Sequence, residues 1–160
     1  MSEQITDREL DILVAEKVLG MRIERIQTKW YNHDILCFYE PSCDLMVYSY
    51  DENACNAMMY RNGVDERDGV AQPLPHYSLE METAWEVVEA ISKPDAGEDH
   101  GWQVVLSYQH GRRPWVRLVK DRSGFGHNPE AQADTMPRAI CLVALLAASL
   151  RDTAQGRERQ

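Results

Sequence analysis

The sequence predicts an α+β fold in which three helices pack on an antiparallel sheet as a layered sandwich. Two observations lead to this class. Three segments, near the start, in the middle and near the end of the chain, have apolar residues at helical spacing. The stretches between them are rich in β-branched and aromatic residues, which are typical of strands. The order helix, strands, helix, hairpin, helix favours an antiparallel sheet covered by helices.

Length and composition are those of one ordinary domain. The chain has 160 residues, of which 44% are hydrophobic and 27% are charged. We expect a single sandwich domain over residues 1–150, with a long variable insertion at about 51–72 and a charged flexible tail at 151–160. No apolar run is long enough to span a membrane, and the N-terminus lacks the pattern of a signal peptide. We therefore expect a protein of the cytoplasm.

The first helix is predicted from Asp7 to Leu19. Thr6 and Glu9 have the spacing of a capping box, in which each side chain satisfies a free backbone N–H of the first turn. Gly20 is suited to end the helix because glycine adopts positive φ without strain.

Short strands are predicted next, at Arg25–Tyr31, Ile35–Tyr39 and Leu45–Tyr50. The segment from Asp51 to Gln72 is rich in asparagine, glycine and charge, and we expect it to be an exposed loop.

The middle helix is predicted to follow Pro75, with Ser78 as its N-cap, and to end before Pro94. Four apolar residues at helical spacing should face a sheet: Met81, Trp85, Val88 and Ile91.

A hairpin and a third helix complete the prediction. Trp102–Tyr108 and Trp115–Lys120 are expected to form the hairpin, with Trp115 and Arg117 on the same strand face. Thr135 should cap a helix over Met136–Leu150, which is apolar on most sides and therefore expected to be central.

The three helical segments resemble the phage ABA-sandwich domain proteins, a family of small phage and prophage proteins. A Tyr-Ser turn followed by an Ala-Trp-Glu-Val-Val-Glu helix carries the resemblance, at Tyr77, Ser78, Ala84, Trp85, Glu86, Val87, Val88 and Glu89. The last helix is also similar, through Pro137, Ala139, Ile140, Cys141 and Ala144. The resemblance covers about half the chain and departs between Met21 and Gln72. It implies a layered fold and a phage origin, and it implies no reaction.

The hairpin carries a local basic cluster in a chain whose net charge is −9: Arg112, Arg113, Arg117, Lys120 and Arg122. Arginine can bind phosphate or carboxylate through two hydrogen bonds at once, and Trp115 can stack on a base. Alternatively, these cations only balance acidic groups on an exposed hairpin. The negative net charge disfavours nucleic acid as a partner, because binding it requires many phosphate contacts.

A second group is aromatic and includes Trp30, Tyr48 and Tyr50. Tyr48 and Tyr50 share a strand face and can line one wall of a ligand pocket. Ordinary sheet packing explains the same pattern.

Metal, cofactor and catalytic motifs are weak. Cys37, Cys43, Cys55 and Cys141 form no CxxC pair, and His33 with Cys37 fits no zinc module. The segment from Ser123 to His127 lacks the order of a nucleophile elbow, and no P-loop lysine follows its glycines. We expect no cofactor, no metal and no catalytic residue.

Three functions remain open. By analogy with small phage proteins that neutralise bacterial immunity, the first is a non-enzymatic protein that sequesters a nucleotide-derived immune signal. Arg112, Arg113 and Arg117 would hold its phosphates, and a base would stack on Trp30, Tyr48, Tyr50 or Trp115. The second is an acidic interaction module that inhibits a host defence protein. The third is an enzyme that degrades the signal. A homo-oligomer is compatible with each of them.

Overall fold

The computed structural model describes residues 5–27, 34–43, 45–50, 72–94, 101–120 and 128–158. Side chains are described as far as Arg151. The chain forms two compact units. One comprises Met1–Val18 with His76–Gln160, and the other comprises Leu19–Pro75. The predicted insertion at 51–72 lies almost entirely outside the described residues, and the single domain over 1–150 stays a prediction.

Helix α1 spans Asp7–Leu13 and begins as its sequence predicts. The Thr6 side chain accepts a hydrogen bond from the Glu9 backbone N–H, and the Glu9 carboxylate accepts one from the Thr6 N–H at 2.8 Å. The chain then widens into a π-helical segment, Val14–Val18, instead of continuing as the α-helix expected to Leu19. Gly20 follows with a φ of +70°, which confirms its predicted role at the helix end.

The smaller unit is built on a four-stranded sheet in the order β1-β2-β3-β4. Its strands are β1 (Arg22–Gln27), β2 (Asp34–Tyr39), β3 (Met46–Tyr50) and the two-residue β4 (Gln72–Pro73). The first three pair antiparallel, and β4 pairs parallel with β3. β2 is central and almost wholly buried, from Ile35 to Phe38. The predicted strands at Ile35–Tyr39 and Leu45–Tyr50 are confirmed as β2 and β3. β1 begins at Arg22 rather than Arg25 and overlaps the first predicted strand over residues 25–27, while its predicted continuation over 28–31 lies outside the described residues.

Helix α2 spans Met81–Ser92 and begins later than predicted. Its N-cap is Glu80, whose side chain makes no capping hydrogen bond. The prediction that Ser78 is the N-cap is therefore wrong. Ser78 lies in the preceding turn, where its backbone and hydroxyl bond to α1. This contact joins segments distant in sequence, and the local capping pattern does not reveal it.

The buried face of α2 also differs from the predicted one. Val88 and Ile91 are buried as expected, but the other buried positions are Ala84 and Val87. Trp85, predicted to face the core, is 47% exposed, and Met81 is exposed as well. The helix is rotated because it packs chiefly on the third helix, and only to a smaller extent on a sheet. Close approach of two helices favours a small residue such as Ala84 at the contact.

The larger unit contains a second sheet, in the order β5-β6-β7 and antiparallel throughout. β5 (Gln103–Ser107) and β6 (Trp115–Val119) are the predicted hairpin. β7 (Glu130–Gln132) was not predicted, because three residues are too few for a period-2 pattern to stand out. Gly101 precedes β5 where a Cβ atom would lie 2.0 Å from the Ser92 carbonyl oxygen, so only glycine fits there.

Helix α3 spans Met136–Glu158 and extends past the predicted end at Leu150. The Thr135 hydroxyl accepts a hydrogen bond from the Arg138 backbone N–H at 3.4 Å, as a capping residue does. α3 packs on α1, α2, β6 and β7, and its first half supplies a fully buried series at Ala139, Ile140, Cys141, Val143 and Ala144. The prediction of a central third helix is confirmed.

The α+β class is therefore confirmed, with three helices and antiparallel sheet. The strands belong to two small sheets rather than one. Among the residues described, no helix is both long enough and apolar enough to cross a membrane.

Candidate ligand-binding surface

The candidate site lies on the face of the β5-β6-β7 sheet opposite its buried side. Along β6, Val116 and Leu118 are fully buried, while Trp115, Arg117 and Val119 alternate with them on the outward face. The register places Trp115 between Ser107 of β5 and Gln132 of β7. The predicted sharing of one face by Trp115 and Arg117 is confirmed.

Arg117 is held by two neighbours on this outward face. Its guanidinium donates to the Glu130 carboxylate at 2.7 and 3.2 Å, from the opposite residue of β7. The same guanidinium carbon lies 4.7 Å from the centre of the Trp115 ring. Arg117 therefore covers one face of the indole, and a ligand that stacks on Trp115 must use the other face.

Arg112 and Arg113 lie in the turn that joins β5 to β6. Arg112 donates its backbone N–H to the Gln109 carbonyl at 3.0 Å, and Gly111 provides the positive φ of +78° that closes the turn. Arg113 pairs with Asp134 at 3.0 Å, and both side chains are largely exposed. Within the described part of the chain, the Arg112 guanidinium has no ion-pair partner.

These residues border a shallow concavity of about 300 Å³. Its lining residues are Ser107, Gln109, Arg112, Arg113, Trp115 and Gln132. The group combines two cations, one aromatic ring and two amides, which is a combination suited to holding an anion attached to a planar polar ring. Among its described lining residues there is no carboxylate, imidazole or thiol.

The sequence prediction named three of these lining residues and missed the other three. Ser107, Gln109 and Gln132 were missed, as were the carboxylates that compete for the arginines, Glu130 and Asp134. The alternation along β5 already placed Ser107 on one strand face. Gln132 and Glu130 depend on the pairing of β7, which leaves no comparable signal in the sequence.

The predicted aromatic group is only partly described. Tyr48 and Tyr50 lie opposite Phe38 and Leu36 in the smaller unit, so their sharing of one strand face is confirmed. Both are half-buried. Trp30 lies outside the described residues, as does Arg122. A role of Trp30, Tyr48 and Tyr50 in ligand binding stays a prediction.

A second concavity, of about 440 Å³, lies where α1 and α3 begin. Arg138 lines it and is mostly buried. Its guanidinium binds the Asp7 carboxylate and donates to the Ile5 carbonyl at 2.6 Å. This arginine is therefore neutralised by groups of its own unit, and its contacts fasten the start of α1 to α3.

Two cysteine thiols are too deeply buried to act as nucleophiles. Burial, with a smaller contribution from Glu24, raises the pKa of Cys37 to about 11. Burial also raises the pKa of Cys141 far above its ordinary value. Since the thiolate is the reactive form, both remain inert thiols at neutral pH. In the described segments no group of three side chains could hold a metal ion.

A layered α+β fold with a helix following a Tyr-Ser turn defines the class of the protein. A family model described as the phage ABA sandwich domain matches residues 12–145, and the chain belongs to that family. The matched range includes residues 21–72, where we expected the resemblance to lapse. Neither a curated protein nor a solved structure matches the chain.

Proposed function

We propose that this phage protein is a non-enzymatic binding protein that captures a small anionic, nucleotide-derived immune signal in the cytoplasm of the bacterial host. One observation carries the proposal. The hairpin turn brings Arg112, Arg113 and Trp115 to one concavity, although the chain as a whole is strongly acidic. The residue types of the lining support binding without catalysis, because they offer hydrogen-bond donors and an aromatic stacking surface.

The two arginines, the indole and the two amides of the lining have different roles in this proposal. Arg112 makes the first contact with the phosphate because, among the described residues, its guanidinium has no ion-pair partner to leave. Arg113 exchanges its exposed partner Asp134 for the ligand, at small cost, since an exposed ion pair contributes at most about 1 kcal/mol. The open face of Trp115 stacks on the base, and the amides of Gln109 and Gln132 bond to its polar edge.

Charge and size restrict the ligand. A net charge of −9 repels anions at long range, but salt screens that repulsion beyond about 10 Å. Affinity must therefore come from direct contacts in the concavity. Its volume is at the lower end of the range for ligand pockets, about 300 to 1,000 Å³. A single nucleotide unit suits it better than an oligonucleotide.

The test begins with protein purified from cells that have active phage defences. Heating should release a nucleotide-like molecule, and mass spectrometry should identify it in its intact form. Calorimetry with that molecule should show about a tenfold weaker affinity for Arg112→Ala, because a hydrogen bond to a charged group is lost. Lys17→Ala removes an equal charge at an exposed helical position and should bind like the wild type.

Two results would overturn the proposal. One is purified protein that releases no nucleotide and binds none of the extracted signals. The other is a released molecule that has been chemically altered, which would indicate the degrading enzyme considered above.

A second candidate, inhibition of a host defence protein, is favoured by the start of α2. Leu79, Met81 and Trp85 are exposed apolar side chains there. Acidic residues surround them in the sequence, at Glu80, Glu82, Glu86 and Glu89. An apolar patch with a charged rim is typical of a protein interface. A pull-down in which wild-type protein, but not Trp85→Ala, recovers a stoichiometric host protein would support this candidate.

A further inference from the structure

Strand β5 lies at the edge of its sheet and lacks the charged residues and prolines that usually protect an edge strand. It pairs with β6 on one side only, and among the described strands none lies on its other side. In an antiparallel ladder only alternate residues direct their N–H and C=O groups to the neighbour, so the rest face the open edge. Such an edge is a template for another strand unless the protein blocks it.

Nothing in the sequence of β5 blocks pairing. From Trp102 to Gln109 the chain reads WQVVLSYQ, with no charged residue and no proline. Lysine, proline and inward charges are the usual means of protecting an edge. Several of the exposed side chains here are instead apolar or aromatic, and the exposed polar ones, Gln103 and Gln109, carry no charge. Val105 is 44% exposed, Leu106 is also exposed, and Tyr108 is 73% exposed.

We propose that the open edge of β5 pairs antiparallel with β5 of a second copy of this chain, forming a two-fold symmetric dimer with a continuous six-stranded sheet. Val105 is the middle residue of Gln103–Ser107, so a two-fold axis at Val105 pairs all five residues of the strand. Gln103 then lies opposite Ser107 of the second copy, and Val104 lies opposite its Leu106. A two-fold interface is self-complementary in this way.

Charge explains why a second copy is the occupant. Two chains of net charge −9 repel each other, and like charges directly opposite in a sheet are destabilising. A two-fold axis at Val105 places Val105 opposite its own duplicate and repeats each remaining side chain of the strand on both sides of the interface, so any charge on this edge would be present twice and add to the repulsion. β5 avoids this because it is neutral over its full length. The apolar patch on α2, by contrast, is interrupted by glutamates that self-association would bring together.

The partner copy would also complete the candidate binding surface. Ser107 lines the concavity on the outward face of the sheet, and Gln103 and Val105 lie on that same face. In the proposed register, Gln103 of the second copy adjoins Ser107 and extends the wall of the concavity. The dimer itself does not depend on ligand binding, so it can be tested without a ligand.

The primary test is the mass of the full-length protein by size-exclusion chromatography with light scattering. Wild type should elute at twice the 18.4 kDa chain mass. Val105→Lys should elute at the mass of one chain, because it places two ammonium groups opposite each other at the axis. Leu146→Lys introduces the same charge at an exposed apolar position of α3 and should remain dimeric.

Hydrogen exchange on wild-type protein gives a second measurement that needs no variant. Amides of residues 103–107 should exchange several-fold more slowly at high protein concentration than at low concentration, while amides of α2 should not change. Monomeric wild type at all concentrations would overturn the proposal. It would also be overturned by a folded Val105→Lys that stays dimeric, or by protection that grows on α2 or α3 instead of β5.

Discussion

The buried carboxylate of Asp11 accepts a hydrogen bond at 2.8 Å from the backbone N–H of Ser78, a residue 67 positions away in the chain. The Asp11 side chain is fully buried, and Arg8 donates to its other oxygen at 3.2 Å. The Ser78 hydroxyl donates to the Asp7 carbonyl at 3.2 Å. These contacts hold the turn before α2 against α1, and the hydroxyl contact accounts for a serine at position 78.

Asp11→Ala should destabilise the protein by about 2 to 3 kcal/mol, because it leaves the buried Ser78 N–H without an acceptor. Urea unfolding followed by circular dichroism measures the loss. Glu16→Ala is the matched control, since Glu16 is a partly exposed acid a little further along the chain that pairs with Lys17. It should cost less than about 0.5 kcal/mol. Equal losses for the two variants would contradict the proposed role of Asp11.

The Asp11 carboxyl should also make stability depend on pH. Desolvation raises its pKa above the ordinary 3.8, and the opposing effects of the Ser78 hydrogen bond and Arg8 are smaller. At a pH between 3.8 and the raised pKa, the Asp11 carboxyl is protonated in the folded protein but ionised in the unfolded chain. The resulting stabilisation is complete below 3.8 and is lost as the pH rises through the folded pKa.

The comparison that isolates this effect is wild type against Asp11→Asn, which is neutral at every pH. Relative to the variant, wild type should lose unfolding free energy as pH is raised from about 3 to 8. His76 lies 3.8 Å from Asp11 through Nδ1, so the series should be repeated in a His76→Gln background. A pH-independent difference in both backgrounds would show that Asp11 does not titrate differently in the folded state.

Glu130→Gln should strengthen the binding of an anionic ligand. The Glu130 carboxylate now holds the Arg117 guanidinium, and its neutral isostere would leave that cation free to bind phosphate. We expect affinity to rise roughly twofold to fivefold, the value of an exposed ion pair. Calorimetry with the recovered nucleotide measures this change. Glu89→Gln makes the same change of charge on α2 and should have no effect; unchanged affinity in Glu130→Gln would remove Arg117 from the ligand-binding set.

Because α2 buries Val87 and exposes Trp85, truncating the smaller side chain should lower the free energy of unfolding more than truncating the larger one. Val87→Ala should cost about 2 kcal/mol, because it leaves a cavity in a fully buried position. Trp85→Ala should cost less than about 1 kcal/mol, although it removes far more atoms, since Trp85 is nearly half exposed. Thermal unfolding of both variants decides this. A larger loss for Trp85→Ala would place the indole in the core after all.

Local interactions account for the parts of the fold that the sequence by itself determined. The capping box of Thr6 and Glu9 acts within one helical turn, and the positive φ of Gly20 depends on that residue alone. The β5–β6 hairpin could also be predicted from the sequence, because the alternation of side chains along each strand determines which residues share a face. Alternation alone therefore places Trp115 and Arg117 on the same face of β6.

Only the tertiary structure decided where the helices turn their faces and which cations are free. Trp85 and Val87 both belong to an apolar stretch, and packing on α3 selected Val87 for the core. Ser78 is a residue type that commonly caps helices, yet its backbone N–H instead donates to Asp11 of α1, which is distant in the sequence. Glu130 and Asp134 pair with Arg117 and Arg113, so that within the described segments Arg112 alone of these three has no acidic partner. Each outcome depends on contacts between residues that are far apart in the chain. Such contacts produce no periodic pattern of apolar residues from which they could be predicted.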